Sequence, residues 1–234
     1  LDRDRDGVSG RAGLVRDVDT GRTRVGRFGW KAQHATLITF GADAYRNEMG
    51  ITNDLFPTEV AFGIRPEQIK LCDPIPDPED VRDRRTGRRG IDNFAAFMRF
   101  LAPLPRGPVG ALEQAGEQVF ADIGCATCHT PALRTGPGAR PFFDHAVVPL
   151  FSDLLLHDVG TGDGIPQGAA TDREIRTPGL WGLRFRRPLL HDGSAVTIED
   201  AIRRHGEEAD RARRSFERLD AGAVQALMAF LRSL

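Results

Sequence analysis

The pentapeptide Cys125-Ala126-Thr127-Cys128-His129 constrains this chain more than any other stretch. Two thiols two residues apart, followed at once by an imidazole, form the C-x-x-C-H signature of c-type haem attachment. Each thiol can add to one vinyl group of the porphyrin, and the adjacent imidazole then falls beneath the iron. Other spacings do not serve both vinyls and the metal together. The chain has three cysteines. Cys72 stands outside the motif and reads as a buried or stray thiol.

Two other chemistries use paired cysteines. A thioredoxin-like dithiol follows a strand and opens a helix, whereas here a helix comes first. In 109–124 the residues Leu112, Ala115, Val119, Phe120 and Ile123 recur at helical spacing, and Gly124 stops the run. A structural zinc site needs about four Cys or His ligands in paired knuckles, and no second cysteine pair is present. Zinc and dithiol redox chemistry stay as the competing readings, behind haem c.

At 234 residues the chain is long enough for one large or two small domains with a real core. The net charge is −1 with acids and bases interspersed, which gives nucleic acid no basic face. No apolar run reaches transmembrane length. No signal peptide is visible and the first residue is Leu1, so the stretch reads as a mature or partial chain. Covalent haem attachment takes place outside the cytoplasm, and an exported, periplasmic-type location is therefore expected.

Residues 1–25 are rich in Asp, Arg and Gly and read as loop. Asp2, Asp4, Asp6 and Gly7 match the first half of a calcium loop, but Gly13 stands where the closing acid belongs, so calcium is a minor alternative to a solvated turn. Helical faces are expected over 31–49, 91–103, 109–124, 197–205 and 220–233. Thr197 with Asp200 suits a capped start for the fourth of these. The segments 71–90, 130–146 and 160–172 read as loops, 147–156 is apolar without clear type, and no strand ladder stands out. The expected fold is mainly α. Pro103, Pro105 and Pro108 mark a linker. It separates a helical, loop-rich N-terminal segment, 1–105, from a cytochrome c-like haem domain, 106–234, on which it packs.

A haem iron held by one histidine has a second axial position. His205 follows Ile198, Ala201 and Ile202 on the same helical face and so points inward. Ligation is one reading, and a core histidine satisfied by a backbone carbonyl is the other. Met49 and His157 are rival ligands. His157-Asp158 and His191-Asp192 each end an apolar run at a turn, where they can close the turn or contact the haem edge. Met98 and Met228 read as core, and His34 and His145 carry no signal. Arg176 could neutralise a haem propionate, although a surface role is equally natural in so Arg-rich a chain.

Several strings together resemble the bacterial di-haem oxidoreductase family, peroxidase-like proteins sometimes labelled thiol oxidoreductases. They are Gly26-Arg27-Phe28-Gly29-Trp30-Lys31-Ala32, Met49-Gly50-Ile51-Thr52, the haem motif with Pro131, and Ser152-Asp153-Leu154-Leu155-Leu156-His157-Asp158. Arg176-Thr177-Pro178 with Leu180-Trp181-Gly182-Leu183, Leu190-His191-Asp192-Gly193 and His205-Gly206-Glu207-Glu208-Ala209 continue the pattern along nearly the whole chain. The family is similar to the di-haem cytochrome c peroxidases. That resemblance places His205 at the distal ligand position and Trp30 between two haems. It also implies a second haem domain, which this chain lacks, since only one C-x-x-C-H is present. The expected function is electron transfer through a His129- and His205-ligated haem c within a larger di-haem oxidoreductase, fed by a small redox donor protein. A single-haem carrier without enzymatic activity is the alternative.

Overall fold

The computed structural model describes residues 7–72, 77–138 and 140–234. The possible calcium ligands Asp2, Asp4 and Asp6, and the side chain of Cys72, lie outside the described residues. The chain divides into two compact units. One comprises Leu14–Gly29 and His34–Ala102; the other comprises Leu1–Gly13, Trp30–Gln33 and Pro103–Leu234. The short stretches before Leu14 and at Trp30–Gln33 thus group with the C-terminal part, although the sequence reading assigned them to an N-terminal segment.

In the first unit, β1 (Leu14–Arg16) pairs antiparallel with β2 (Thr23–Val25). Helix α1 (Leu37–Met49) starts at Thr36, whose hydroxyl accepts from the Thr39 amide, and stops at Gly50 in the left-handed region (φ 65°). It starts six residues later than its periodicity suggests. Asp17, fully buried, accepts hydrogen bonds from Thr20, Thr36 and Thr39 and so fastens the hairpin to that helix start. Burial acts to raise the Asp17 pKa, but these bonds outweigh it and hold the carboxylate below its usual range. Helix α2 (Pro66–Cys72) was not anticipated. Helix α3 (Gly90–Phe100) packs on α1, where Phe94 lies against Gly41 and edge-on to Tyr45.

The second unit is built on α4 (Ala111–Asp122) and α7 (Ala221–Ser233). Their apolar faces meet through Phe120 and Phe230, with ring centroids 5.2 Å apart, and Phe151 joins both. Leu183, Leu189, Ile198, Phe216, Leu227 and Met228 extend this core. Helices α5 (Ile198–Arg203) and α6 (Asp210–Glu217) contribute Ile198 and Phe216 to it. Helix α6 offers no apolar stripe to the sequence, because Phe216 is its sole buried residue.

The expectation of no strand pairing is corrected. Besides the β1–β2 hairpin, β3 (Leu133–Arg134) pairs with β4 (Val147–Val148), and β5 (Leu156–Asp158) with β6 (Glu174–Arg176), both antiparallel. Strands of two or three residues are too short for a two-residue alternation to register. The chain is mainly helical, with these small ribbons at its turns.

Gly116 lets α4 approach α7, because a Cβ there would sit 1.9 Å from the Ala226 carbonyl oxygen. The obstacle is backbone and cannot rotate away. Gly116→Ala is expected to cost about 2–3 kcal/mol, read as a lower urea midpoint at unchanged slope.

A second prediction concerns acid. Glu174 accepts two bonds of 2.5 Å from the Arg11 guanidinium. That pairing, against opposing burial, pulls the Glu174 pKa down to about 2. The stabilisation is therefore present above the ordinary carboxylate pKa and is lost as pH falls from there towards 2. Glu174→Gln should flatten this part of the acid-unfolding curve, and an unchanged curve would contradict the pairing.

Candidate functional site

Helix α4 delivers the cysteine motif. After Asp122 the chain turns through Gly124 (φ 95°) into a tight 3-10 turn, Cys125–Thr127, and the His129 amide donates to the Cys125 carbonyl at 3.0 Å. That turn sets Cys125 and Cys128 on one side. Both are free and half-buried, while Thr127 points outward. Burial pushes the Cys125 thiol up to about 12. A redox dithiol needs the opposite shift, towards thiolate.

The motif is backed by the loop before β5. Thr130 and Cys128 carbonyls accept from the Ser152 and Asp153 amides at 2.9 Å each. Phe151 and Leu154 lie in the left-handed region (φ 52° and 61°), which non-glycine residues seldom adopt. Phe151 there offers its carbonyl to His129 Nδ1 at 3.0 Å. A carbonyl only accepts, so Nδ1 carries the proton and Nε2 keeps a lone pair. Burial, with smaller repulsion from His205 and His157, brings the His129 pKa down to about 4, so the ring is neutral.

His205 repeats this arrangement. It lies just past α5, whose Ile198 is buried and whose Ala201 and Ile202 pack on the core. Its Nδ1 is 2.7 Å from the Ala201 carbonyl oxygen, and burial lowers its pKa. The carbonyl is the partner a plain core histidine would take. The same bond also frees Nε2 for a second partner. Both imidazoles thus take the same tautomer, with Nδ1 protonated and the Nε2 lone pair free.

His157, on β5, differs in kind. It is 2% exposed and faces carboxylates at both nitrogens: Asp153 at 2.8 Å from Nε2 and Glu208 at 3.0 Å from Nδ1. Burial opposes charge, but Asp153, Cys128 and Glu208 raise its pKa to about 11. Cys128, Asp153 and His157 place ligand atoms within 4.8 Å of one another, as a metal site would. With both ring nitrogens donating to carboxylates, His157 has no lone pair left for a metal.

The other sequence candidates are scattered. Trp30 is 44% exposed and meets the His191 ring edge-on at 6.2 Å. Its carbonyl accepts from the Arg176 amide at 2.7 Å. The Arg176 guanidinium donates to the Thr177 carbonyl, and burial together with repulsion from Arg186 lowers its pKa. The His191 side chain is 8% exposed, 3.8 Å from Asp163. Asp163 is itself bonded to the buried Lys31 at 2.7 Å. Met49 ends α1 and is 53% exposed. His34 is buried against Asp43, His145 is exposed, Met98 is half-buried and Met228 lies in the core. The sequence reading missed the roles of Phe151, Asp153 and Glu208, although the last two fall in strings it had singled out.

The sequence profile described as "Di-haem oxidoreductase, putative peroxidase" matches residues 1–234. This chain belongs to the di-haem oxidoreductase family. Among solved structures, a MauG-like protein associated with microbial copper homeostasis is similar in fold. The TM-score is 0.52 at 18% identity, over 97% of this chain and 79% of that one. A chain of the hydrazine synthase of Kuenenia stuttgartiensis matches with a TM-score of 0.45 at 23% identity, over 62% of this chain. The match covers 55% of the hydrazine synthase chain. No curated protein sequence matches. Among the described residues no helix is long and apolar enough to cross a membrane.

Membership in the di-haem oxidoreductase family implies haem as cofactor. The residues present fit one. Two free thiols leave one tight turn, and two neutral imidazoles have Nδ1 fixed by a carbonyl and Nε2 left as donor atom.

Proposed function

We propose that this chain holds one haem c through Cys125 and Cys128, with His129 and His205 as axial ligands, in a cytochrome c-like domain that includes 106–234. When bound, such a haem supplies a one-electron couple and, with both axial positions filled, no open site for peroxide. The observation that carries this reading is the matched pair of imidazoles, each bonded at Nδ1 to a carbonyl, Phe151 for His129 and Ala201 for His205. That bond fixes ring orientation and strengthens Nε2 as a ligand.

The remaining residues serve the same end. The half-buried Arg176 suits a propionate, because a desolvated guanidinium favours an anionic neighbour. Trp30, in contact with His191 and partly at the surface, supports electron passage to a second haem. One C-x-x-C-H in 234 residues provides for one haem. The second, where peroxide or another oxidant is reduced, is assigned to a further haem domain, and a small redox protein serves as donor. Haem c attachment brings with it an exported, periplasmic-type location.

Protein matured in an export-competent host should give the sharp bands of a low-spin iron in both oxidation states. A high-spin spectrum with haem attached would remove His205 as ligand. Counting haem on the full-length gene product should give two, and a count of one would favour a single-haem carrier.

A further inference from the structure

The His157 cluster lies between the two segments that carry the axial imidazoles. On one side, Asp153 accepts from His157 Nε2 at 2.8 Å, and its own amide donates to the Cys128 carbonyl at 2.9 Å. On the other side, Glu208 accepts from His157 Nδ1 at 3.0 Å. Glu208 lies three residues beyond His205. Its carboxylate also accepts from the amides of Asp158, at 3.1 Å, and Ser9, at 2.8 Å, while the Gly206 amide bonds the Val159 carbonyl at 2.8 Å. The backbone of Gly10 closes over the ring, since a Cβ there would lie 2.2 Å from His157 Cε1.

Carboxylates only accept, so both ring nitrogens must donate and the ring is cationic. Two charge-assisted bonds therefore run from one buried ring in opposite directions. A histidine that merely fills the core needs one carbonyl partner, not two acids from segments about fifty residues apart in sequence.

We propose that His157 is a positioning residue: its ring joins the haem-attachment loop, through Asp153, to the segment carrying His205, through Glu208, and so keeps the distal imidazole in place. The proposal rests on the haem reading above. Its effect falls on the equilibrium between bound and released His205, which carbon monoxide reports, because apparent affinity scales with the fraction of iron whose sixth position is free.

The test uses the matured holoprotein with Glu208→Gln, His157→Gln and their combination. Haem content is measured by pyridine haemochrome, and affinity for carbon monoxide is measured in the reduced state. Glu208→Gln should keep full haem content and raise that affinity about ten- to a hundred-fold, the range expected from losing one charge-assisted bond. His157→Gln should do the same, and the double variant should gain little beyond either one, since both remove the same link. Unchanged affinity in Glu208→Gln with haem attached would overturn the proposal, as would fully additive effects. Should His157→Gln fail to fold, Glu208→Gln decides alone. A parent protein without haem would instead overturn the haem reading.

Discussion

His205→Ala is expected to convert the iron from low spin to high spin while leaving the haem covalently attached. The substitution removes a side chain whose Nδ1 is held by the Ala201 carbonyl at 2.7 Å and whose Nε2 keeps its lone pair. No other described imidazole is set to take its place. His157 is fixed by two carboxylates, and His191 sits beside Trp30 and Asp163. With the sixth position free, affinity of the reduced protein for carbon monoxide should rise by more than about a hundred-fold. Peroxide should then also bind the oxidised form. An unchanged low-spin spectrum would reject His205 as the distal ligand.

The second large effect is expected from Cys125→Ala with Cys128→Ala. Both thiols leave the same face of the 3-10 turn, so covalent attachment should fall to zero. The fold around α4 and α7 should persist in part, because its contacts run through Phe120, Phe151 and Phe230 rather than the sulfurs. The single variants should each retain one thioether and a reduced yield. Covalent haem in the double variant would place the attachment elsewhere and end the assignment of this motif.

Much of this was legible from residue order. The apolar spacings of α3, α5 and α7 each bury a helical face, whereas Met49 on α1 and Leu112 and Ala115 on α4 stay exposed, and the cap at Thr197 is a short-range signal. Helix α6, with Phe216 as its one buried residue, and the three ribbons, with strands of two or three residues, offer too few apolar positions to be read. The cysteine motif announces its chemistry because attachment demands a fixed local spacing. The groups that tune it do not. Phe151 contributes a carbonyl, which no side-chain pattern reveals, and it depends on a left-handed backbone at a phenylalanine. Asp153, His157 and Glu208 come together because β5 and the residue after it bond the turn that follows α5, through Asp158 to Glu208 and Val159 to Gly206. The grouping of Trp30–Gln33 with the C-terminal unit likewise depends on long-range contacts, such as Lys31 with Asp163.

Intact mass and pyridine haemochrome on the same purified sample, made with c-type maturation and export, test the central claim most directly. One porphyrin per chain, retained under denaturing conditions and lost with the cysteine pair, is the predicted result. A colourless protein of unmodified mass would contradict it.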